Sequence, residues 1–198
     1  MGKDRGKKIV ALLLALCIAG MGLVGCGSGK PGEPEVVEPP FEDAELGMTV
    51  YPVGNSATFG DWDLKLTNAY LAETVEDNTY YYEPSTGDIF VVAGFEITNK
   101  GAEAATLLQY PVALDGTELF IMPVGEDIYS TPERLSTYPY DLYGKSVEPG
   151  ETVSGVFIFQ VPTEDSEKDW NLVFTNYGAM TDIPSEEEAE PLEVVFRL

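Results

Sequence analysis

Tyrosines and carboxylates are the side chains that could do chemistry here, because none of the 198 residues is histidine. That absence removes Ser-His-Asp and Cys-His triads and the commonest zinc ligand. No glycine-rich phosphate loop stands where a strand would meet a helix. Paired carboxylates could act as acid and base in glycoside hydrolysis. With 34 Asp and Glu, however, some pair always looks suitable, so pairing singles out no site. The expectation is a protein that is not an enzyme and needs no cofactor. Calcium is the one ion the acids suggest, through the hard oxygens of Asp61 and Asp63 and of the run Glu73, Glu76, Asp77 and Asn78. No Asp-x-Asp-x-Asp-Gly loop fixes such a site, and solvated loop acids are the alternative. Tyr80, Tyr81 and Tyr82 fall in an irregular stretch, 72–87, and Tyr138, Tyr140 and Tyr143 in another, 124–148. Tyrosine offers large amphipathic contact area at low entropy cost and stacks on sugars and proteins. The two tyrosine-bearing loops are therefore the expected ligand-binding surface, with packing over core edges as the alternative.

The two cysteines sit near the start. Cys17 lies within an apolar or small run, Ile9 to Val24, which follows the basic residues Lys3, Arg5, Lys7 and Lys8. A positive start and an apolar segment too short for a comfortable span read as a secretory signal peptide over residues 1–25. The segment closes on Leu23-Val24-Gly25-Cys26, followed by Gly27-Ser28-Gly29. This closely resembles the lipobox of bacterial lipoproteins. The resemblance implies a diacylglyceryl group on the Cys26 thiol, cleavage just before it, and attachment to the extracytoplasmic face of the cell membrane. At about 0.8 kcal/mol per buried methylene, two acyl chains hold stably where one would not.

Removing the leader's four basic residues and Asp4 from totals of 11 basic and 34 acidic residues leaves seven and 33, a net charge of −26. Such a surface repels phosphate backbones, so nucleic acid is not an expected partner. It suits either a solvated, self-repelling exterior or attraction to cations and basic partners. Residues 26–46, rich in Gly, Pro and Glu, lack the apolar content to offset ordering entropy and are expected to form an extended tether. Glu186-Glu187-Glu188-Ala189-Glu190 reads as an exposed loop before a last apolar strand.

What must position these groups is a set of alternating segments. Trp62, Leu64 and Leu66 share a face, as do Ile89, Val91, Ala93, Phe95 and Ile97. Phe90 and Val92 add an apolar patch to the other face of that strand, which predicts cover on both sides at its start. Val153, Phe157, Phe159 and Val161 repeat the pattern, followed by Trp170, Leu172 and Phe174 and then Leu192, Val194, Phe196 and Leu198. A first strand is predicted at 48–53. Asp115-Gly116, between Val112-Ala113-Leu114 and Leu119-Phe120-Ile121, predicts a hairpin. Both Trp62 and Trp170 fall on core-facing phases. Seven or eight strands with one apolar face each must pair as two packed sheets. The predicted domain over 47–198 is thus all-β, an antiparallel sandwich.

Three segments carry a family resemblance: Leu64 to Ala69, Gly87 to Asn99 (a long apolar strand ending in Thr-Asn), and Val147 to Pro162 (Pro-Gly, then a strand ending in Val-Pro). They resemble telokin-like, immunoglobulin-like domains of unknown function found in Gram-positive lipoproteins. The resemblance covers roughly 48–198 and implies the immunoglobulin-like fold; it brings no catalytic residues. The functional expectation is a membrane-anchored, non-catalytic binding or interaction domain whose partner is an unidentified protein or glycan of the cell envelope. The alternative is an envelope carbohydrate-binding module, with tyrosines stacking on sugar rings.

Overall fold

Alternation of apolar and polar side chains commits a run of residues to a sheet with one inward face. The computed structural model describes residues 37–108, 117–125, 133–176 and 192–198. The expected leader, Cys26, the Asp115-Gly116 turn and the acidic run 186–190 lie outside those residues. The chain enters through β1 (Phe41–Asp43), β2 (Met48–Tyr51) and β3 (Ser56–Phe59). The long β4 (Trp62–Ala72) follows, then a two-residue pair, β5 (Val75–Glu76) and β6 (Tyr81–Tyr82). After β7 (Asp88–Asn99) come β8 (Ala105–Thr106), β9 (Thr117–Pro123) and β10 (Ser146–Val147). The last three are β11 (Thr152–Pro162), β12 (Trp170–Asn176) and β13 (Leu192–Arg197).

Nine of these strands build two sheets, in the orders β1-β2-β13-β12-β9 and β11-β7-β4-β3. The result is an immunoglobulin-like β-sandwich. Three- and four-residue strands such as β1 and β3 are too short to show alternation, which is why the described count exceeds seven or eight. All strand pairs are antiparallel except β13 against β2, which runs parallel over Val195–Val50 and Phe196–Tyr51. Those two strands come from distant parts of the chain, so no hairpin fixes their relative sense.

The core lies between the sheets. Phe95 of β7 meets Phe157 of β11, Phe174 of β12 and Phe196 of β13 edge-on, with ring centroids 5.7, 5.6 and 5.1 Å away. Trp62 and Trp170 are both buried there, as their phases require. The outer face of the five-stranded sheet carries a smaller buried cluster of Val50, Met122, Val173 and Val195.

Folded structure reaches back into the stretch expected to be tether, a correction to the boundary at residue 46. Phe41–Asp43 pairs with β2. The Asp43 carboxylate explains why. One oxygen accepts the backbone N–H groups of Glu45 (3.0 Å) and Leu46 (3.2 Å), closing a turn that ends at Gly47 with φ +67°. The other oxygen meets Arg197 at 3.0 Å. A local side-chain turn plus one ion pair orders residues too polar to be held by burial.

A β-bulge in β4 reverses which side chains face outward. Leu66 pairs with Phe95, but the next partner, Gly94, faces Asn68, so Thr67 is surplus. Before it, Trp62, Leu64 and Leu66 point inward; after it the phase is reversed, and Tyr70 and Ala72 stand opposite the outward Val92 and Phe90. Gly94 permits the kink, because the Asn68 carboxamide occupies the space a Cβ would take.

Candidate functional site

Phe90 and Val92 of β7 and Ile158 of β11 form an apolar floor on the outer face of the four-stranded sheet, and each is almost wholly buried. This is the end of β7 whose sequence predicted cover on both sides. Two separate loops supply that cover: Leu135 and Tyr138 come from one, Val75 and Tyr82 from the other, and Ala72 of β4 and Val156 of β11 pack beside them.

Residues 133–142 run along the edge of β11 as an irregular extra strand. Gln160 N–H donates to the Glu133 carbonyl (2.8 Å) and Leu135 N–H to that of Ile158 (3.0 Å). Val156 N–H donates to Tyr140 (2.9 Å) and Leu142 N–H to Val156 (3.1 Å). Gly155 makes this approach possible, since a Cβ there would press on the Tyr140 carbonyl oxygen and the Leu142 side chain. Beneath the segment, the Arg134 guanidinium stacks 3.6 Å above the Tyr143 ring, and its Nη1 lies 3.6 Å from Asp141 Oδ2. Burial pushes the Asp141 carboxyl above its usual range, outweighing Arg134 and the Tyr143 N–H.

The second loop is shaped by Asp77. Its Oδ1 accepts the N–H groups of Thr79 (2.6 Å) and Tyr80 (2.8 Å), which turns β5 back onto β6. Its Oδ2 accepts the Tyr82 hydroxyl at 3.3 Å. Chiefly through the Tyr80 N–H, this holds the Asp77 carboxyl below the usual carboxylate range.

Together the loops build a continuous row of rings. Tyr80 meets Tyr82 with centroids 6.3 Å apart, Tyr82 meets Tyr138 at 5.6 Å, and Tyr138 meets Tyr140 at 5.8 Å, all edge-to-face. The Tyr138 hydroxyl donates to the Glu76 carbonyl at 3.1 Å, tying one loop to the other. Tyr70, turned outward by the bulge, joins the same surface, and desolvation raises its phenol as it raises those of Tyr82 and Tyr138. All three are neutral hydrogen-bonding groups at physiological pH. Tyr80 and Tyr140 are more than half exposed at the ends of the row (62% and 55%), and Tyr70 is 41% exposed. The surface offers ring faces and hydroxyls on a rigid floor, an arrangement suited to holding a ligand by stacking and hydrogen bonds.

Four of the six expected tyrosines form this row. Tyr81 does not, because alternation along β6 puts it on the other side of the hairpin, across from Glu76. Tyr143 is a structural residue, lying under Arg134 and against the main core. Tyr70 was missed, because the phase set by Leu64 and Leu66 continues inward until the bulge interrupts it.

The carboxylates expected to share a cation are not brought together. Asp61 and Asp63 flank the start of β4, whereas Glu76 and Asp77 follow its far end, eleven residues on. At about 3.3 Å per residue, that separation is on the order of 30 Å. Asp63 meets Lys100 at 3.2 Å and accepts the Thr58 hydroxyl at 3.0 Å, and Asp77 is taken up by its own turn. Asp61 lines a cleft of about 540 Å³ with Asn99 and Glu103. Asp63 lines another of about 680 Å³ with Lys65, Glu96 and Thr152. Among the described residues, no group of three or more acidic or cysteine side chains could hold a metal ion.

A family model described as a domain of unknown function, DUF4352, matches residues 51–183. No curated protein matches the chain. Among solved structures, an uncharacterized β-sandwich protein from Clostridium difficile 630 is similar, with 16% identity and a TM-score of 0.48, covering 74% of this chain and 91% of that one. A conserved hypothetical protein from Bacillus anthracis has 15% identity and a TM-score of 0.46, over 63% and 89% of the two chains. The yjhA protein from Bacillus subtilis has 14% identity and a TM-score of 0.45, over 74% and 98%.

Proposed function

The chain belongs to the DUF4352 family of domains of unknown function, and from that premise we propose that it is a membrane-anchored lipoprotein whose β-sandwich is a non-catalytic binding module on the extracytoplasmic face. The observation that carries the binding role is the convergence of two loops, more than 50 residues apart in sequence, into one row of Tyr80, Tyr82, Tyr138 and Tyr140. Rings needed only to cover the floor would be buried, yet the end members leave most of their surface open to solvent. The anchor reading rests on the basic start, the apolar run and Leu23-Val24-Gly25-Cys26.

Two measurements test this. In cells, an alkyne analogue of palmitate labels the wild type and not Cys26→Ser; an unlabelled wild type removes the anchor. In sedimentation with purified envelope material, the Tyr80→Ala/Tyr140→Ala double variant binds roughly five- to thirtyfold more weakly than wild type, in line with about 1–2 kcal/mol of lost stacking. Equal sedimentation removes the tyrosine row from the reading. A glycan array probed with the same pair identifies a sugar ligand if one is present.

A further inference from the structure

The four-stranded sheet has two edges, and among the described residues only part of one is open. The β11 edge is closed by residues 133–142. On the other side, β3 pairs with β4 from Lys65 back to Trp62, and Asn55 and Gly54 add two hydrogen bonds to Leu66. Beyond Leu66 the chain turns away toward β2. After the unpaired Thr67, residues Asn68 to Ala72 pair with β7 on one side, and among the described residues no strand pairs with them on the other. Tyr70 and Leu71 within that stretch are each 41% exposed. A five-residue edge of this kind is a template for another strand; proteins ordinarily blunt such edges with charged residues, proline, a bulge or a covering loop, and of these, among the described residues, only the bulge at Thr67 stands here, at the near end of the edge. Between Thr67 and Ala72 there is neither lysine nor proline.

We propose that this edge of β4 is a strand-addition site for an extended, basic polypeptide segment, which continues the sheet beside the tyrosine row. The proposal deepens the binding role above and rests on it. An added strand gains main-chain hydrogen bonds along Thr67 to Ala72 and presents alternate side chains to each face. One set falls on the ring face, where Tyr70 stands opposite the outward Val92 and is 41% exposed. Phenol rings accept Lys or Arg there by cation–π contact. The charge of the occupant follows from the chain itself. Its formal net charge is −23, and the segment after the edge carries Glu73, Glu76 and Asp77. That field draws in a cationic strand and repels a second copy of this chain.

The test uses the full-length chain in detergent and three fluorescent octapeptides: alternating Lys-Val, Glu-Val and Lys-Pro. The Lys-Pro peptide keeps the charge but cannot donate main-chain hydrogen bonds at alternate residues. The expected result is that Lys-Val binds at least tenfold more tightly than the other two and slows exchange of the edge-facing amides between Thr67 and Ala72 at least tenfold. Tyr70→Ser weakens that binding while leaving unliganded exchange unchanged. Equal binding of Lys-Pro reduces the attraction to bulk charge and overturns the proposal, as does protection elsewhere or no binding of Lys-Val. Protection of the same amides that grows with protein concentration without peptide assigns the edge to a second copy and also overturns it. Envelope sedimentation that stays sensitive to the Tyr80/Tyr140 pair would then show that the binding role survives the loss of the strand-addition site. Loss of that sensitivity would remove both.

Discussion

Asp77 does more for the tyrosine surface than any single ring. Its carboxylate is spent on the backbone of Thr79 and Tyr80 and on the Tyr82 hydroxyl. Those contacts favour the charged form and lower its pKa from the usual 3.8, the Tyr80 N–H contributing most. A carboxyl depressed in the folded state adds stability that is complete above its unfolded pKa and is lost as pH falls through the folded value. Acid titration should therefore loosen the β5–β6 hairpin at pH values below about 3.8, while the sandwich core persists. The check is the pH dependence of the Thr79 and Tyr80 amide resonances, which Asp77→Asn should flatten. Amides that shift only with global unfolding would show that the turn does not depend on this charge.

At the scale of elements, the site depends on how closely one segment lies against β11. Gly155→Ala puts a methyl group against the Tyr140 carbonyl and the Leu142 side chain. The expected cost is about 1–3 kcal/mol, typical of overpacking, with Tyr138 and Tyr140 displaced from the row. Urea unfolding reads the first effect and tyrosine ring resonances the second; an unchanged midpoint would show that the 133–142 segment gives way freely. Much of this architecture was legible in the sequence. The strands built on Phe95, Phe157, Phe174 and Phe196 announce themselves by period-two alternation, and the doubly apolar start of β7 at Phe90 and Val92 foretells the loop cover over it. The chemistry of the site was half legible: tyrosine-rich loops could be seen, but not that they meet, because residues 80 and 138 are joined only through the sheet between them. Tyr70 was hidden by the surplus Thr67, since a phase read from Leu64 and Leu66 turns every later even-numbered residue inward. The acidic residues named as calcium ligands show the opposite limit of reading a sequence. Acidic residues near in sequence do not declare where they lie in space, and β4 carries Asp61 and Asp77 to opposite ends.

For the whole molecule, charge and topology set the terms. With 34 acidic against 11 basic residues, long-range repulsion opposes the compact state. The exposed ion pairs, such as Lys65–Glu96 at 3.5 Å, offset little of it. Raising sodium chloride from about 0.01 to 0.5 M shortens the screening length from roughly 30 Å to a few ångströms. That change should raise Tm by about 2–4 °C, equivalent to about 1 kcal/mol. A scanning calorimetry series would show it, and a fall in Tm would mean that local pairs outweigh the global repulsion. The position of β13 has a consequence of another kind. Leu192–Arg197 lies between β2 and β12, and Phe196 closes the ring cluster around Phe95. A ribosome that has delivered 190 residues has therefore delivered no bridge between the first strands and the penultimate one. The interior can be sealed only after β13 has been made, so the strands before it wait for that segment before their rings can close around Phe95.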